Sequence, residues 1–542
     1  MLRILDVIFE RCLLTTFNEK PEIQRRSTSH LVSLLATKLM LLVWVVLLLA
    51  PPGTSAQGCL PGGTCNYPNA KNIVYVDGIE NTLQSAINAA NDSGNTIVMV
   101  LSNQTVPSGL TLSGNGVELV CQNNAMLTAG AGGFWMLTIT GQGNAVRDCN
   151  LSPGHGSSAF GVLVNGAGNT MIEKNTISGF ETGNALIYLV RSTGAIIRNN
   201  RLIAGSDGPD GIFGEMDTTD ASVDGNYVDE SLGSLGSHAI GFHSTAAGQS
   251  ISDIKIVNNR ILAGMNFCVE IGAFGGRTPN AVVVAHNSCK LTKNGGSGGY
   301  SVGASASTVT ANTFNADGFT ALIGAYEIVG SANSDVTDNS AMIGQAWSSV
   351  PTSAAVINQS SGINFSQNVI KGWGGGDGLA ASGFGLAVVS SNVNDAVVTK
   401  NIISNNVFVF PKGVGSGGIF QQCLMAGSDC SDNRYSGNVL VSDGTARTVG
   451  FRLENDSGTM KGTTIEENNI NGPTYGIYLW NPTVIGTHIH RNIINGSSLS
   501  ILDSGTNTSL DRDGLPFCTP QRLDPDFSST GHIPGIWQEM PR

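Results

Sequence analysis

The residues most capable of chemistry in this sequence lie in one stretch, residues 207–277. Charged residues make up only 13% of the 542-residue chain, so a stretch that combines carboxylates, an imidazole and a guanidinium stands out. Its members are Asp207, Asp210, Glu215, Asp217, His243, Glu270 and Arg277. Carboxylates and imidazoles transfer protons in enzymes, and carboxylate oxygens are ligands that Ca²⁺ prefers. The stretch is therefore the candidate site of a reaction, with calcium as the candidate cofactor.

One reaction that suits these residue types is elimination at a uronic acid of a polysaccharide. It needs a base near C5 and a cation that neutralises the substrate carboxylate. His243 or Arg277 would be the base. Calcium would be the cation, bound by Asp207, Asp210 and Asp217.

The other reaction is hydrolysis of a glycosidic bond, which needs two carboxyl groups on either side of that bond. Glu270 would form such a pair with Asp210 or with Glu215. A plainer interpretation covers both cases, because carboxylates scattered over a stretch of this length often form only a solvated acidic surface.

A second group of residues suits sugar binding instead of catalysis. Arg452 and Glu454 are followed by Tyr478 and Trp480, and aromatic rings on a sheet surface can stack on sugar rings. We expect Arg452, Tyr478 and Trp480 to contact substrate; the alternative is that they are ordinary surface residues, which need no function.

A repeat along the chain must position all of these residues. A short phrase with an apolar residue, polar residues, Asn and a further apolar residue recurs, as in MIEKNTISG at Asn175, KIVNNRILAG at Asn259 and IHRNIING at Asn492. Successive copies lie about 24 to 37 residues apart, and a sustained repeat predicts a stacked architecture of about thirteen coils. Alternating Val, Ile and Phe over three to five residues indicate short strands.

Alternation within the strands predicts which side chains face outward. In residues 239–243 and 268–272 the large apolar side chains point inward, so His243 and Glu270 point outward. Glu215 also points outward in the preceding coil, and stacking places it in one row with His243, about 5 Å away at the backbone.

The recurring Asn has two expected roles at the corner of each coil. Asn tolerates the left-handed backbone conformation, and its amide can hydrogen-bond to the corner of the next coil as a ladder.

These repeats resemble those of the pectate-lyase-like (pectin lyase fold) superfamily over about residues 72–500. The resemblance implies an all-β, right-handed parallel β-helix solenoid whose open end is covered by an N-terminal capping helix. Residues 81–100 fit such a helix leading into the first strands, with Asn81 as its N-cap, Gln84 three residues later, and one apolar face. The resemblance does not extend to catalysis: the Gly154-His155-Gly156 tripeptide is similar to one in polygalacturonases, but the other motifs of that family are absent from this sequence.

The ends of the chain are expected to lie outside the repeat. Basic residues precede an apolar run, residues 39–50, and Pro51 ends it. A run of about 12 apolar residues suits a signal peptide, although a signal anchor is the alternative. The predicted organisation is a targeting segment at 1–56, a β-helix domain with its cap at 57–502, and a C-terminal cap or tail at 503–542.

Cysteine spacing also suits an exported protein, because disulfides form in oxidising compartments. Three pairs are close in sequence or one coil apart: Cys59/Cys65, Cys423/Cys430 and Cys121/Cys149.

The net charge of −12 argues against nucleic acid as a partner, since that requires basic clusters. The sequence predicts a protein that is secreted or lies in the cell envelope and that binds, and in the enzymatic interpretation cleaves, a polysaccharide or cell-surface glycan. It would meet a membrane only through an uncleaved N-terminal segment. The alternative is a non-catalytic, adhesin-like structural rod.

Overall fold

The computed structural model divides the chain into Met1–Pro68 and Asn69–Arg542, and every described residue belongs to the second unit. The structure describes residues 72–76 and 82–510, apart from 182–183, 206–208, 233–237, 265–266, 295–297, 322–323, 347–352, 373–382, 391–393, 411–416 and 443–447.

Each coil of the chain contributes one short strand to each of three parallel sheets. Sheet 1 has 17 strands in the described residues, Asn72–Val76, Thr96–Val100, Glu118–Cys121, Ala145–Arg147, Met171–Glu173, Ile196–Arg198, Ser222–Asp224, Lys255–Val257, Val283–Ala285, Thr308–Thr310, Asp335–Thr337, Asn364–Ser366, Ile402–Ser404, Arg434–Ser436, Thr464–Glu466, His488–His490 and Ser509–Leu510. Sheet 2 has 15 in the same residues, Gln104–Val106, Met126–Ala129, Asn150–Pro153, Thr176–Ser178, Arg201–Ile203, Tyr227–Glu230, Arg260–Ala263, Ser288–Leu291, Thr313–Ala321, Ser340–Ala346, Val369–Lys371, Val407–Phe410, Val439–Ser442, Asn469–Asn471 and Ile493–Asn495. Sheet 3 likewise has 15, Leu110–Leu112, Trp135–Ile139, Phe160–Asn165, Ala185–Val190, Asp210–Glu215, His238–Ser244, Phe267–Ala273, Gly298–Val302, Tyr326–Val329, Ala355–Asn358, Phe384–Val389, Gly417–Cys423, Val449–Asn455, Tyr475–Leu479 and Leu499–Asp503. A small additional pair joins Met460–Lys461 to Val484–Ile485.

This arrangement confirms the predicted all-β parallel β-helix, with about 14 turns where the sequence predicted about thirteen. Strands Leu499–Asp503 and Ser509–Leu510 continue sheets 3 and 1. The repeat therefore runs past residue 502, where the sequence analysis ended it. Within the described residues, no helix is long and apolar enough to cross a membrane.

The core is a single apolar column enclosed by the three sheets. In sheet 3, for example, Ile212, Ile240 and Val269 stack in register on Tyr300 and Tyr326, and all five are almost fully buried. Burial of each such aliphatic side chain contributes about 1.5–3 kcal/mol. Since no coil can bury its apolar face alone, the stack stabilises every member.

The Asn ladder is confirmed along the corner between sheets 1 and 2. Asn312 is typical: its Nδ2 donates to Val284 O at 2.8 Å and to Asn339 Oδ1 at 3.1 Å. Its Oδ1 accepts from the backbone and the side-chain amide of Asn287, both at 3.0 Å. The ladder thus satisfies buried polar groups that water cannot reach.

The predicted position of the left-handed backbone conformation, the recurring Asn itself, is wrong by one residue. The left-handed residue is the one before each ladder Asn, as at Lys174, His286, Ala311 and Glu467, with φ of 56°, 57°, 53° and 56°. The left-handed residue turns the corner, and the Asn after it points its amide along the stack.

The capping helix α1 spans Leu83–Ser93, and its buried residues Leu83, Ala86, Ile87 and Ala90 are the predicted apolar face. Its N-cap is Thr82, whose side chain accepts from Ser85 N; the expected cap, Asn81, lies outside the described residues. Among those residues the other helical segment is a 3₁₀ turn, Gln122–Asn124.

Two predicted disulfides are present, Cys121–Cys149 and Cys423–Cys430. A third, Cys268–Cys289, was not predicted. Cys59 and Cys65 lie outside the described residues.

Candidate functional site

Three neighbouring strands of sheet 3 carry the candidate site on their outer face: Asp210–Glu215, His238–Ser244 and Phe267–Ala273. Glu215 pairs in register with His243, and Gly241 pairs with Glu270. The two residues that follow His238, Ala239 and Ile240, both lie in the apolar core. Two consecutive inward residues shift the alternation, so His238 and His243 reach the same outer face although they are five positions apart.

His238 lies at the centre of the resulting cluster. Its Nδ1 is 3.4 Å from Asp210 Oδ2, and its backbone N–H donates to Asp210 Oδ1 at 2.6 Å. On its other side, His238 Nε2 contacts Glu270 Oε2. His243 Nε2 lies 3.2 Å from the same Glu270 oxygen. Four residues from three coils thus converge on one point, and we call Asp210, His238, His243 and Glu270 the histidine cluster.

The charges of the histidine cluster are set by burial and by these contacts. Burial opposes ionisation of Glu270, but the two imidazoles outweigh it and lower its pKa to about 2. Burial also opposes the charged form of His238, yet its contacts with Asp210 and Glu270 raise its pKa to about 10. The cluster therefore combines a fixed carboxylate with an imidazolium held between two anions.

Aromatic rings surround the cluster and restrict its imidazoles. Phe213 stacks on His238 with ring centroids 5.8 Å apart and meets His243 edge-on at 4.9 Å. Phe274, which is 43% exposed, lies 4.3 Å from the His243 ring. Gly241 leaves room for Phe213, because a Cβ there would lie 2.7 Å from that ring.

The aromatic contacts continue along the outer face of sheet 3, away from the cluster. Trp135 lies 5.2 Å from Phe160 and 5.8 Å from Tyr188, whose ring is in turn 5.9 Å from Phe213. We call Trp135, Phe160, Tyr188 and Phe213 the aromatic strip; Tyr188 is buried beneath its neighbours, and the other three rings are half-buried. Five strand spacings of about 4.8 Å separate the coil of Trp135 from that of Glu270, or about 24 Å.

Glu215 is bound to the aromatic strip and makes no contact with Glu270. The Tyr188 hydroxyl donates to Glu215 Oε1, and burial together with this carboxylate raises the pKa of Tyr188. Glu215 thus lies beside the histidine cluster, paired at the backbone with His243.

The structure does not bring the other predicted site residues to this point. Arg277 is exposed, and its guanidinium forms no ion pair with any described residue. Asp217 follows the far end of the strand Asp210–Glu215 and accepts from Ser250 N at 2.7 Å. That strand separates Asp210 from Asp217 by more than about 15 Å, so one calcium ion cannot bind both; Asp207 lies outside the described residues.

The second predicted group is buried instead of open. Tyr478 is 2% exposed and Arg452 is 4% exposed. Arg452 pairs with Glu454 at 2.6 Å, and its guanidinium lies 4.2 Å from the Trp480 ring centre. Trp480 is half-buried, so Arg452 and Tyr478 offer little free surface to a sugar, and their role in substrate binding stays a prediction.

Two buried acids were not predicted from the sequence. Glu327 follows Ser301 in the outward row of Glu270 and accepts from Ser301 Oγ at 2.8 Å; burial raises its pKa to about 7. Glu230 points into the core, where neither of its oxygens hydrogen-bonds to a described group, and burial raises its pKa well above its usual value.

A separate groove of about 430 Å³ lies on sheet 2. Its lining includes three cations, Arg260, Lys290 and Lys371, together with Met342. In an acidic protein, this groove is a local concentration of positive charge.

The geometry of the histidine cluster can be compared with what the two predicted reactions, elimination and hydrolysis, require. The His238 ring fills the space between Asp210 and Glu270, whereas hydrolysis requires that a sugar and, in inverting enzymes, a water fit between the two carboxyl groups. Glu215 is directed at Tyr188. Among the described residues, this cluster therefore lacks the pair of carboxyl groups on either side of an open space that hydrolysis requires.

Comparison with known proteins finds no matching family model and no matching curated protein. Solved structures do align. The Dettilon tailspike protein is 14% identical to this chain, with a TM-score of 0.47; the alignment covers 70% of this chain and 68% of the tailspike chain. The catalytic domain of a GH87 α-1,3-glucanase is 15% identical with a TM-score of 0.31, covering 84% and 70%. A mannuronic-acid-specific polysaccharide family 6 lyase from the human gut microbiota is 12% identical with a TM-score of 0.38, covering 73% and 87%. At these values the activities of these proteins are no argument for the activity of this chain.

Proposed function

We propose that this protein binds a polysaccharide along the aromatic strip of sheet 3 and cleaves it at the histidine cluster. The observation that carries the proposal is the continuity of the two features: the rings of Trp135, Tyr188 and Phe213 lead directly to His238 and His243. A chain of rings on a sheet surface suits a chain of sugar rings, and ionisable groups at its end suit bond cleavage.

Elimination at a uronic acid is the proposed reaction. Glu270 carries a charge at neutral pH because the imidazoles stabilise it, and His243 is the imidazole that lies toward the exposed Phe274. Asp210 and Asp217 are too far apart to bind the same calcium ion. The cleavage experiment therefore tests whether the reaction needs calcium at all.

The experiment is a cleavage screen on pectate, alginate and chondroitin, with and without calcium, read by the ultraviolet absorbance of unsaturated products. Reducing-end release, measured in parallel, would detect hydrolysis. We expect ultraviolet-absorbing product from a uronic-acid polymer and at least about a 100-fold loss of rate in Glu270→Gln, because this carboxylate holds both imidazoles in place and acid–base catalysis by an imidazole contributes at least that factor.

Binding is measured separately by affinity electrophoresis of folded variants. We expect Trp135→Ala to weaken binding roughly 2- to 10-fold, the range of one aromatic contact, and the exposed control Ile493→Ala to bind normally. Binding without any cleavage would leave a non-catalytic rod and would refute the enzymatic part. Loss of binding in Lys371→Ala but not in Trp135→Ala would move the glycan to the groove on sheet 2 and refute the placement.

We also propose that the chain is exported. The apolar run at residues 39–50 and the three disulfides of the described residues support an oxidising destination. N-terminal sequencing of the secreted product should find the mature chain beginning near residue 57, whereas retention of the whole chain in the membrane would favour the signal anchor.

A further inference from the structure

Three side chains of the histidine cluster present metal-binding atoms to one point. Each of His238, His243 and Glu270 offers one ligand atom, and these three atoms all lie within 4.8 Å of one another. A tetrahedral ion with bonds of 2.0–2.1 Å requires ligand atoms about 3.3 Å apart. The present positions therefore need only small side-chain shifts to enclose an ion.

One of these atoms is incompletely satisfied in the structure. His243 is 7% exposed, and its Nε2 lies 3.2 Å from Glu270 Oε2 as an ion pair but has hydrogen-bond geometry with no described group. Buried polar atoms almost always have a well-aligned hydrogen-bond partner, which this nitrogen lacks among the described groups. A cation between His243 and Glu270 would supply a partner to both.

The surroundings orient the imidazoles as metal sites do. Asp210 lies 3.4 Å from His238 Nδ1, on the side away from Glu270. Histidine ligands almost always direct their second nitrogen at a carboxylate, a backbone carbonyl or water, which fixes the ring. Phe213 and Phe274 pack against the rings and limit their rotation.

We propose that His238, His243 and Glu270 form a binding site for a divalent transition-metal ion of the zinc class. Binding of the ion releases the proton of His238. The two neutral imidazoles and the carboxylate then suit Zn²⁺ and its first-row neighbours, whereas Ca²⁺ takes six to eight oxygen ligands. Three protein ligands leave one coordination position open, as in catalytic and not structural zinc sites. That position would face a glycan on the aromatic strip, a consequence that rests on the proposed function, whereas the metal site itself does not.

The test uses the whole chain without a polyhistidine tag, stripped with EDTA and titrated with Co²⁺ and then Zn²⁺. Metal retained after gel filtration is measured by elemental analysis, and the visible absorbance of bound Co²⁺ reports its coordination. We expect one equivalent per chain, a cobalt spectrum of low coordination number, displacement by Zn²⁺ and no displacement by excess Ca²⁺. No glycan is present, so the result is independent of the proposed function.

Variants then locate the ion. Glu270→Gln, which keeps the side-chain shape, should weaken Zn²⁺ binding at least 100-fold, and Asp210→Asn, which removes only the orienting carboxylate, should weaken it roughly 10- to 100-fold. Glu327→Gln, from the same outward row, and His490→Gln, which removes a distant imidazole near Glu466, should bind as the unmodified chain does. Thermal melts establish which variants are folded.

The unmodified chain alone can refute the proposal. If it retains no metal after titration, or if Ca²⁺ displaces the bound ion, the site or its class is wrong whatever the variants do. Retention of one equivalent by a folded Glu270→Gln variant with unchanged affinity would show that the metal binds elsewhere.

Discussion

Replacing Glu327 by Gln should reduce the pH dependence of the protein's stability. Glu327 is buried beside Ser301, and burial raises its pKa from 4.5 to about 7. The folded protein therefore keeps a proton on this side chain that the unfolded chain releases. Its contribution to stability is complete below pH 4.5 and is lost as the pH rises through about 7.

The magnitude follows from the two pKa values. The interval between 4.5 and about 7 corresponds to about 3 kcal/mol at about 1.4 kcal/mol per pH unit, of which about 2.5 kcal/mol falls between pH 5 and pH 8. The amide of Gln cannot ionise, so the variant should lack this loss. Any cost of the amide that does not depend on pH cancels when the two pH values are compared.

The assay is guanidinium unfolding of EDTA-treated protein at pH 5 and pH 8. We compare the change in unfolding free energy between the two pH values for the unmodified chain, for Glu327→Gln and for the control Glu181→Gln. Glu181 is exposed, so Glu181→Gln is the matched surface control and should behave as the unmodified chain does. A difference for Glu327→Gln below about 1 kcal/mol, well under the linkage value, would refute the reasoning.

Other predictions concern the ladder and a disulfide. Asn312→Ala removes four hydrogen bonds and should lower the free energy of unfolding by about 4 kcal/mol. Asn315→Ala, at an exposed position in the same coil, should change this free energy by about 0.5 kcal/mol or less. Equal losses for the two variants in denaturant titrations would contradict the role of the ladder. The double replacement of Cys121 and Cys149 by Ser opens a link between residues 28 apart, so the free energy of unfolding should fall by about 3.5 kcal/mol. A change of less than about 1 kcal/mol, far below the loop-closure estimate, would contradict this entropic account.

The architecture could be predicted because a few local preferences repeat in every coil. Residues 239–243 and 268–272 show the alternation of strands, and the structure has strands there. The Asn ladder was also predictable, since Asn recurs where only stacking could satisfy a buried amide. The left-handed position was missed because the residue that adopts it varies, from Lys174 to Ala311, and leaves no constant signal.

Strand alternation also predicted part of the candidate site. Strict alternation places Glu215, His243 and Glu270 on the outer face, as the structure has them, but it places His238 on the opposite face from His243. The two inward residues Ala239 and Ile240 break that rule. Aligning residues 210–215 with residues 238–243 would have revealed it, because Asp210 then falls beside His238.

Residues outside the strands were beyond the reach of the sequence. Arg277 and Asp217 follow strand ends, where connections differ in length from coil to coil, so their spacing does not determine their direction. The burial of Arg452 and Tyr478 likewise depends on contacts with groups distant in sequence, including the packing of Arg452 on Trp480, which strand periodicity does not report.

The corner that carries the Asn ladder has a consequence for how such a chain can diversify. In coil after coil, two residues join sheet 1 to sheet 2, as at residues 174–175 and 286–287. The connection from sheet 2 to sheet 3 varies instead from three residues at 264–266 to twelve at 372–383. Because the ladder sets the alignment of each coil independently of that second connection, insertions there leave neighbouring strands in step. The second connection opens directly onto the first residues of the sheet 3 strands, among them Asp210 and His238. Insertions in this connection can therefore change in length and sequence next to the histidine cluster while the strands of the three sheets keep their register.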